Sequence, residues 1–360
     1  MSILTRRRYI SALIGPALCA TVFGSTIAAA GGPARLWVDD DGMAGPRSCD
    51  SARQAFTSIQ EAVDAASAGD IIRVCPGDYT EEVVIGEGLD GLRIRSTEPG
   101  AAVLRPPLSG GSPSISAIAG GAATSLLRVE GPDGIRIRGF SMRAPTSGYC
   151  QRVGAMVDVT GGSQDVVIRD THIRAGGSDT IGDCGYDSGI IVSNGSAALL
   201  RDNGVKDFQG AGIAVLSTGT EATLTGNTVS YHHAKEAPLG TALGAGIQII
   251  SADAVLEGNT VDGLTSAAIT TPLLGTGIYA FGISDGLRIR GSLVADASIG
   301  LSLVSVTGAL IEDNDLRNNR ELDCSDDSTG SGTADTANTW IGNLGHPYQS
   351  SPAGICSQAP

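Results

Sequence analysis

Gly212-Ile213-Ala214-Val215, Ala222-Thr223-Leu224-Thr225, Gly226-Asn227, Thr228-Val229-Ser230: between residues 212 and 230 the chain passes through a glycine-led apolar segment, a second alternating segment, a polar corner and a third short segment. Each segment alternates with period two, so Ile213 and Val215 fall on one side and Ala214 on the other, as in a half-buried strand. The same order recurs. Glycine-led segments begin at Gly154, Gly189, Gly212, Gly246, Gly277 and Gly300, spaced 35, 23, 34, 31 and 23 residues apart. No single coil of this kind can bury its own apolar face. Stacked neighbours can, which is the logic of a repeat protein.

The second segments begin at Val166, Ala198, Ala222, Ala254, Leu287 and Ala309, and each is followed by a polar corner. Asparagine occupies one corner position in four coils, at Asn203, Asn227, Asn259 and Asn314. Its amide both donates and accepts, so an internal ladder of side-chain hydrogen bonds is expected, and asparagine also suits a left-handed turn. Earlier candidate strands include 70–75, 83–85, 89–95, 125–129 and 135–140. This organisation resembles the right-handed parallel β-helix, the pectate-lyase-like superfold with its parallel β-helix repeat, over about Ile71 to Asn319. The resemblance implies an all-β, right-handed, single-stranded parallel β-helix. Roughly nine coils at ~4.8 Å per strand make a stack about 45 Å long. The superfold hosts lyases, hydrolases, epimerases, adhesins and tailspikes, so it does not assign a function by itself. Apolar residues at 56, 59, 62, 63 and 66 have helical spacing and predict a short N-terminal capping helix over 56–66.

The organisation expected is a signal peptide over 1–30, an N-terminal cap over 31–70, the parallel β-helix over 71–320, and a disulfide-pinned tail or lid over 321–360. Thr5-Arg6-Arg7-Arg8-Tyr9-Ile10 followed by an uncharged stretch ending Ala28-Ala29-Ala30 reads as an export leader, and its paired arginines resemble the twin-arginine type. A secreted or extracytoplasmic protein is expected. Losing residues 1–30 moves the formal charge from −14 to −17, because Arg6, Arg7 and Arg8 leave with them. So acidic a chain repels nucleic acid and anionic lipid. A monomer with no nucleic-acid partner and no transmembrane segment in the mature chain is expected. Six cysteines remain after the leader, an even number that reads as disulfides. Fifteen pairings are formally open, and the sequential one is Cys49–Cys75, Cys150–Cys184 and Cys324–Cys356.

The longer glycine spacings locate surface insertions at 176–188, 231–244 and 265–275, with 144–153 as a fourth. Rigid scaffolds carry function on such loops. The first insertion supplies Asp179, Asp183 and Asp187 as hard oxygen ligands for calcium (Ca2+), and Tyr186 as a ring on which a sugar can stack. Its other reading is an acidic solvated loop. The second supplies His232, His233 and Lys235. A histidine exchanges protons near neutral pH and a lysine neutralises a sugar carboxylate, so His232, Lys235 and Asp158 form the catalytic candidate set and His233 a binding candidate.

The outward ladder of the glycine-led strands reads Met156, Ile191, Ala214, Gln248, Tyr279, Ser302. The next reads Asp158, Ser193, Leu216, Ile250, Phe281, Val304, with Asp158 its one charge. Gln248 and Tyr279 are further substrate-binding candidates. The sets of acids and bases that the resemblance implies for pectate lyases and polygalacturonases are not found. Arginines recur on the second strands at Arg136, Arg138, Arg169, Arg201, Arg288 and Arg290, where pairing with Asp133, Asp170, Asp202 and Asp285 is expected. Two functional readings follow. One is an exported β-helix that binds and cleaves extracellular or cell-wall polysaccharide, by lyase-like β-elimination of an acidic glycan if catalytic. The other is a non-catalytic surface or structural β-helix that binds protein or matrix.

Overall fold

A computed structural model describes residues 32–45, 48–51, 53–107, 124–144, 153–175, 186–208, 210–231, 244–264 and 275–357. The chain divides into Met1–Gly32 and Pro33–Pro360, and the fold is that of the second unit. Its strands form three parallel sheets of ten, eleven and eight strands. One coil contributes Ala211–Leu216 to the first, glycine-led sheet, Glu221–Thr225 to the second and Thr228–Ser230 to the third. The next coil repeats the path in register, with Ile213 beside Ile247, Leu224 beside Leu256 and Val229 beside Val261. Those six side chains are fully buried in one continuous core.

The glycine column has a steric cause. A Cβ on Gly212 would stand 2.3 Å from Val229 Cγ1 and 2.6 Å from Gly246 O. The first strand therefore closes on the valine of its own coil's third strand only where no side chain intervenes. Five glycines share this register, but Gly154 does not. Val157 pairs with Ile190 after a register shift between Val153 and Ala155. Met156 therefore occupies the position next to Gly189 and is fully buried in the core, correcting its expected outward place.

The asparagine ladder forms inside the corner between second and third sheets. Asn203 Nδ2 donates to Asn227 Oδ1 at 3.0 Å, Asn227 Nδ2 to Asn259 Oδ1 at 3.0 Å, and Asn314 Nδ2 to Asn343 Oδ1 at 2.8 Å. Ser292 bridges the gap, accepting from Asn259 N at 3.3 Å and donating its own N–H to Asn314 at 2.9 Å. The left-handed residue is the one before each amide, as at Asp202 (φ 54°) and Gly226 (φ 64°), rather than the asparagine itself.

Of the helix expected over 56–66, only Ile59–Asp64 is helical, less than two turns. Phe56 is held extended instead, its N–H donating to Trp37 O and its carbonyl accepting from Asp39 N, both at 2.9 Å. The helix starts where Glu81 accepts from Ser58 Oγ, Ile59 N and Gln60 N at 2.6, 2.7 and 2.9 Å, satisfying its first donors. Ile59, Ala62 and Val63 cover the first coils. At the other end, Leu322–Asp326 pairs with Ile299–Val304 and Thr339–Ile341 with Leu310–Glu312. Trp340 Nε1 donates to the buried Asp326 carboxylate at 2.9 Å. Cys49 is bonded to Cys75 and Cys324 to Cys356, with Cα atoms 5.7 and 6.3 Å apart. The third expected pair, Cys150–Cys184, lies outside the described residues. Among the described residues no helix is long and apolar enough to cross a membrane.

Candidate functional site

The outer face of the glycine-led sheet is built by residues that alternate with the buried column Leu127, Val157, Ile190, Ile213, Ile247, Ile278. Its register runs Arg128, Asp158, Ile191, Ala214, Gln248, Tyr279, Ser302. The shift at Met156 thus moves Asp158 into the column of Ile191 rather than that of Ser193. It also brings an arginine beside it.

Asp158 is 5% exposed. Its Oδ2 lies 3.9 Å from Arg128 Nε and 3.5 Å from Ser125 Oγ. Arg128 also reaches Glu130, with Nη2 3.0 Å from Oε1. Burial raises the Asp158 carboxyl from the usual range to about 6. Arg128 and the Ser125 hydroxyl oppose that rise, and Glu130 adds a smaller push in the same direction. Arg128 Nε is buried and has no hydrogen-bond acceptor. The group is therefore a desolvated acid of near-neutral pKa beside a cation with donor capacity to spare. That combination can exchange a proton with one part of a bound molecule and hold a negative charge on another.

Beyond this pair the face is apolar or neutral. Ala155, Ile191, Ala211 and Ala214 form a buried cluster of their own, with Leu216 packed against it. Gln248, half-buried, sits beside Tyr279, which is nearly buried and whose hydroxyl is pushed above its usual pKa by burial and then by Asp327. Ser302 lies next in register, its Oγ buried without a hydrogen-bond partner. Gln248 is three strands from Asp158, about 14 Å at ~4.8 Å per strand. The two are not brought into one catalytic group.

The other sequence candidates are placed as follows. His232, His233, Lys235, Asp179 and Asp183 lie outside the described residues. Tyr186 and Asp187 begin the strand Tyr186–Val192, where Tyr186 pairs with Val153; their side chains are outside the description. Arg128 and Glu130 lie one coil before Gly154, where the glycine-led outward ladder begins, on the strand that contains Ser125-Leu126-Leu127-Arg128-Val129. Carrying the alternation back one coil finds them. Among the described residues, Asp39, Cys49 and Cys75 bring three metal-ligating atoms, one carboxylate oxygen and two sulfurs, within 4.8 Å of one another. The cysteines are joined as a disulfide, so no thiolate is available to hold an ion there.

The family model described as a right handed beta helix region matches residues 157–343. No curated protein sequence matches the chain. Among solved structures, the pectate lyase Pel9A is similar with a TM-score of 0.56 at 12% identity, over 91% of this chain and 82% of that one. The GH136 lacto-N-biosidase from Eubacterium ramulus is similar with a TM-score of 0.51 at 12% identity, over 88% of this chain and 66% of that one. At such identities the likeness is one of fold.

Proposed function

Since the chain belongs to the right handed beta helix family, we propose that it is an exported member that engages extracellular or cell-wall polysaccharide through the outer face of its glycine-led sheet. The observation that carries this reading is the Arg128–Asp158 pair, a buried carboxyl of near-neutral pKa beside an arginine with an unused donor. On an acidic glycan the pair suits β-elimination. Asp158 takes the proton from the carbon next to the sugar carboxylate, and Arg128 binds that carboxylate. The electrons of the broken C–H bond form a C=C bond, and the glycosidic C–O bond on the neighbouring carbon breaks. The departing oxygen takes a proton from His232 or from water. Lys235 supplies a second positive charge, and Asp179, Asp183 and Asp187 supply oxygens for calcium. The fold relatives named above add that a pectate lyase and a lacto-N-biosidase are built on the same coil.

A panel of uronate polymers with calcium present, followed by the ultraviolet absorbance of unsaturated product, tests this reading. Asp158→Asn should lower turnover by about a hundredfold or more. Binding of a polymer with no product from any of them would favour the second reading, a non-catalytic binder. That reading has its own support in the apolar cluster of Ala155, Ile191, Ala211 and Ala214 on the same face. Neither binding nor product across the panel would reject polysaccharide as the partner.

A further inference from the structure

The second sheet carries a different outward column. Arg73, Arg95, Arg138, Arg169 and Arg201 stand in register on five successive coils, with Trp37 before them. Arg93 and Arg136 pair with each other in the parallel column two residues earlier. At ~4.8 Å per strand the five guanidinium groups span about 19 Å. The expected pairing with acids accounts for some of them. Arg136 meets Asp165 at 2.6 Å, Arg138 meets Asp170 at 2.9 Å and Arg201 meets Asp202 at 3.0 Å. Arg73, Arg93, Arg95 and Arg169 have no acidic partner among the described residues. Farther along the same column the order becomes Thr225, Glu257, Arg290, Glu312, and Arg290 meets Glu257 at 3.2 Å. One half of this face is charge-balanced and the other is not.

Like charges directly opposite on neighbouring strands destabilise a sheet. Arg73 shows the consequence. Its guanidinium lies 5.2 Å from the centre of the Trp37 ring, and its Nε is buried with no acceptor. Its basicity is lowered by burial first, then by Arg95 and Arg35. A hollow of about 220 Å³ opens between Arg73, Arg95 and Arg138, with Thr97 on its wall. A second, of about 300 Å³, lies between Arg93, Arg136 and Arg169. The two share Arg95 and Arg138 as walls, so they adjoin across the same coils.

We infer that this half of the second sheet's outer face is a binding track for an acidic polysaccharide, with the guanidinium groups as its carboxylate holders. The planar fork of arginine takes a carboxylate through two parallel hydrogen bonds. A linear polyuronate presents one carboxylate per sugar and meets a row of cations at one per coil. Single-stranded nucleic acid needs aromatic platforms for its bases. The ring in this column, Trp37, is already covered by Arg73. The inference shares with the proposed function only the class of its occupant, since the track and the Arg128–Asp158 pair lie on different sheets.

The test is calorimetric titration of the full chain with hexamers of galacturonate and of mannuronate, with a neutral glucan hexamer and a six-nucleotide single-stranded DNA as comparisons. The wild type should bind at least one uronate hexamer more tightly than either comparison. Arg93→Gln/Arg95→Gln/Arg169→Gln should weaken that binding by about tenfold per guanidinium removed. Arg290→Gln, on the balanced half where the guanidinium already meets Glu257, should bind as the wild type does. The triple variant should also unfold at an equal or higher temperature without ligand, because it loses repulsion and no ion pair. Uronate binding unchanged in the triple variant, binding lost with Asp158→Asn instead, tighter binding of the DNA, or no uronate binding at all would overturn the track. The second of these outcomes would leave the glycine-led face as the binding site, so the two readings fail separately.

Discussion

Replacing Asp158 with asparagine should stabilise the folded chain at neutral pH, the reverse of removing a well-paired carboxylate. In the fold the Asp158 carboxyl titrates at about 6, against 3.8 for the free group, and burial is the main cause. A difference of about 2 pKa units corresponds to about 3 kcal/mol. The sign follows from proton linkage. Below about pH 3.8 both folded and unfolded chains hold the proton and nothing is lost. As the pH rises toward 6 the unfolded chain releases its proton while the folded chain keeps it, so stability falls by up to ~1.4 kcal/mol per pH unit. Above 6 the full cost is in place. An amide cannot ionise and escapes it. The stability difference between Asp158→Asn and wild type should therefore be near zero at about pH 3.5 and close to 3 kcal/mol in favour of the variant at about pH 8. Urea unfolding read by both circular dichroism and tryptophan fluorescence measures it, and coincident curves verify that one transition is being read. Asp39, also raised to about 6 by burial and its acidic neighbours, titrates in the same window. It is present in both proteins and cancels in the difference. A difference that stays flat with pH, or a variant that becomes less stable as the pH rises, would refute the reasoning and make Arg128–Asp158 a net stabilising ion pair.

Asn227→Ala should cost about 2–4 kcal/mol, because it orphans Asn203 N and Leu200 O in the buried corner, whose bonds to Asn227 are 3.1 and 2.8 Å; an unchanged denaturant midpoint would count against the ladder as a stabilising device. Gly277→Ala should destabilise by about 1–3 kcal/mol, since the new Cβ would meet Val294 Cγ1 at 2.1 Å and Gly300 O at 2.7 Å. Adding Val294→Ala should recover only part of the loss, because the backbone clash remains, and full recovery in a thermal melt would show that the valine alone sets the requirement.

The stacked fold was legible because burial imposes the same demand on every coil. Ile213, Ile247 and Ile278 are each forced apolar by the same core, so the pattern repeats and can be counted. The register at Met156 was not legible. A buried methionine and an outward one look alike in a string of apolar residues, and the β-bulge between Val153 and Ala155 that decides between them leaves no mark in composition. That one shift put Asp158 in the wrong column and hid Arg128. The capping helix shows a similar limit. Phe56 has the right spacing for a helix, but its backbone bridges to Trp37 and Asp39, a long-range contact that local periodicity does not report. Residues from the insertions, such as His232 and Asp183, could be proposed from sequence only by their chemistry.

Stacking repeats whatever side chain a coil presents, and its consequence depends on hydrogen-bonding capacity. An asparagine above an asparagine satisfies itself, because each amide donates upward and accepts from below; Asn203, Asn227 and Asn259 do this at 0 to 1% exposure. An arginine above an arginine cannot. The guanidinium has five donors and no acceptor, and its neighbour carries the same charge. At ~4.8 Å in water each such contact costs about 1 kcal/mol. A fold that accepts this at Arg73, Arg95 and Arg169, while balancing Arg290 with Glu257 farther along the same column, leaves acceptors to be supplied from outside. The same argument separates the two faces. On the glycine-led sheet the charged side chains beside Asp158 answer one another within the chain, and what is unusual there is a single proton. On the second sheet the donors outnumber their acceptors coil after coil, and what is unusual is an unfilled row. The first arrangement suits chemistry at one sugar, the second suits holding a polymer along its length.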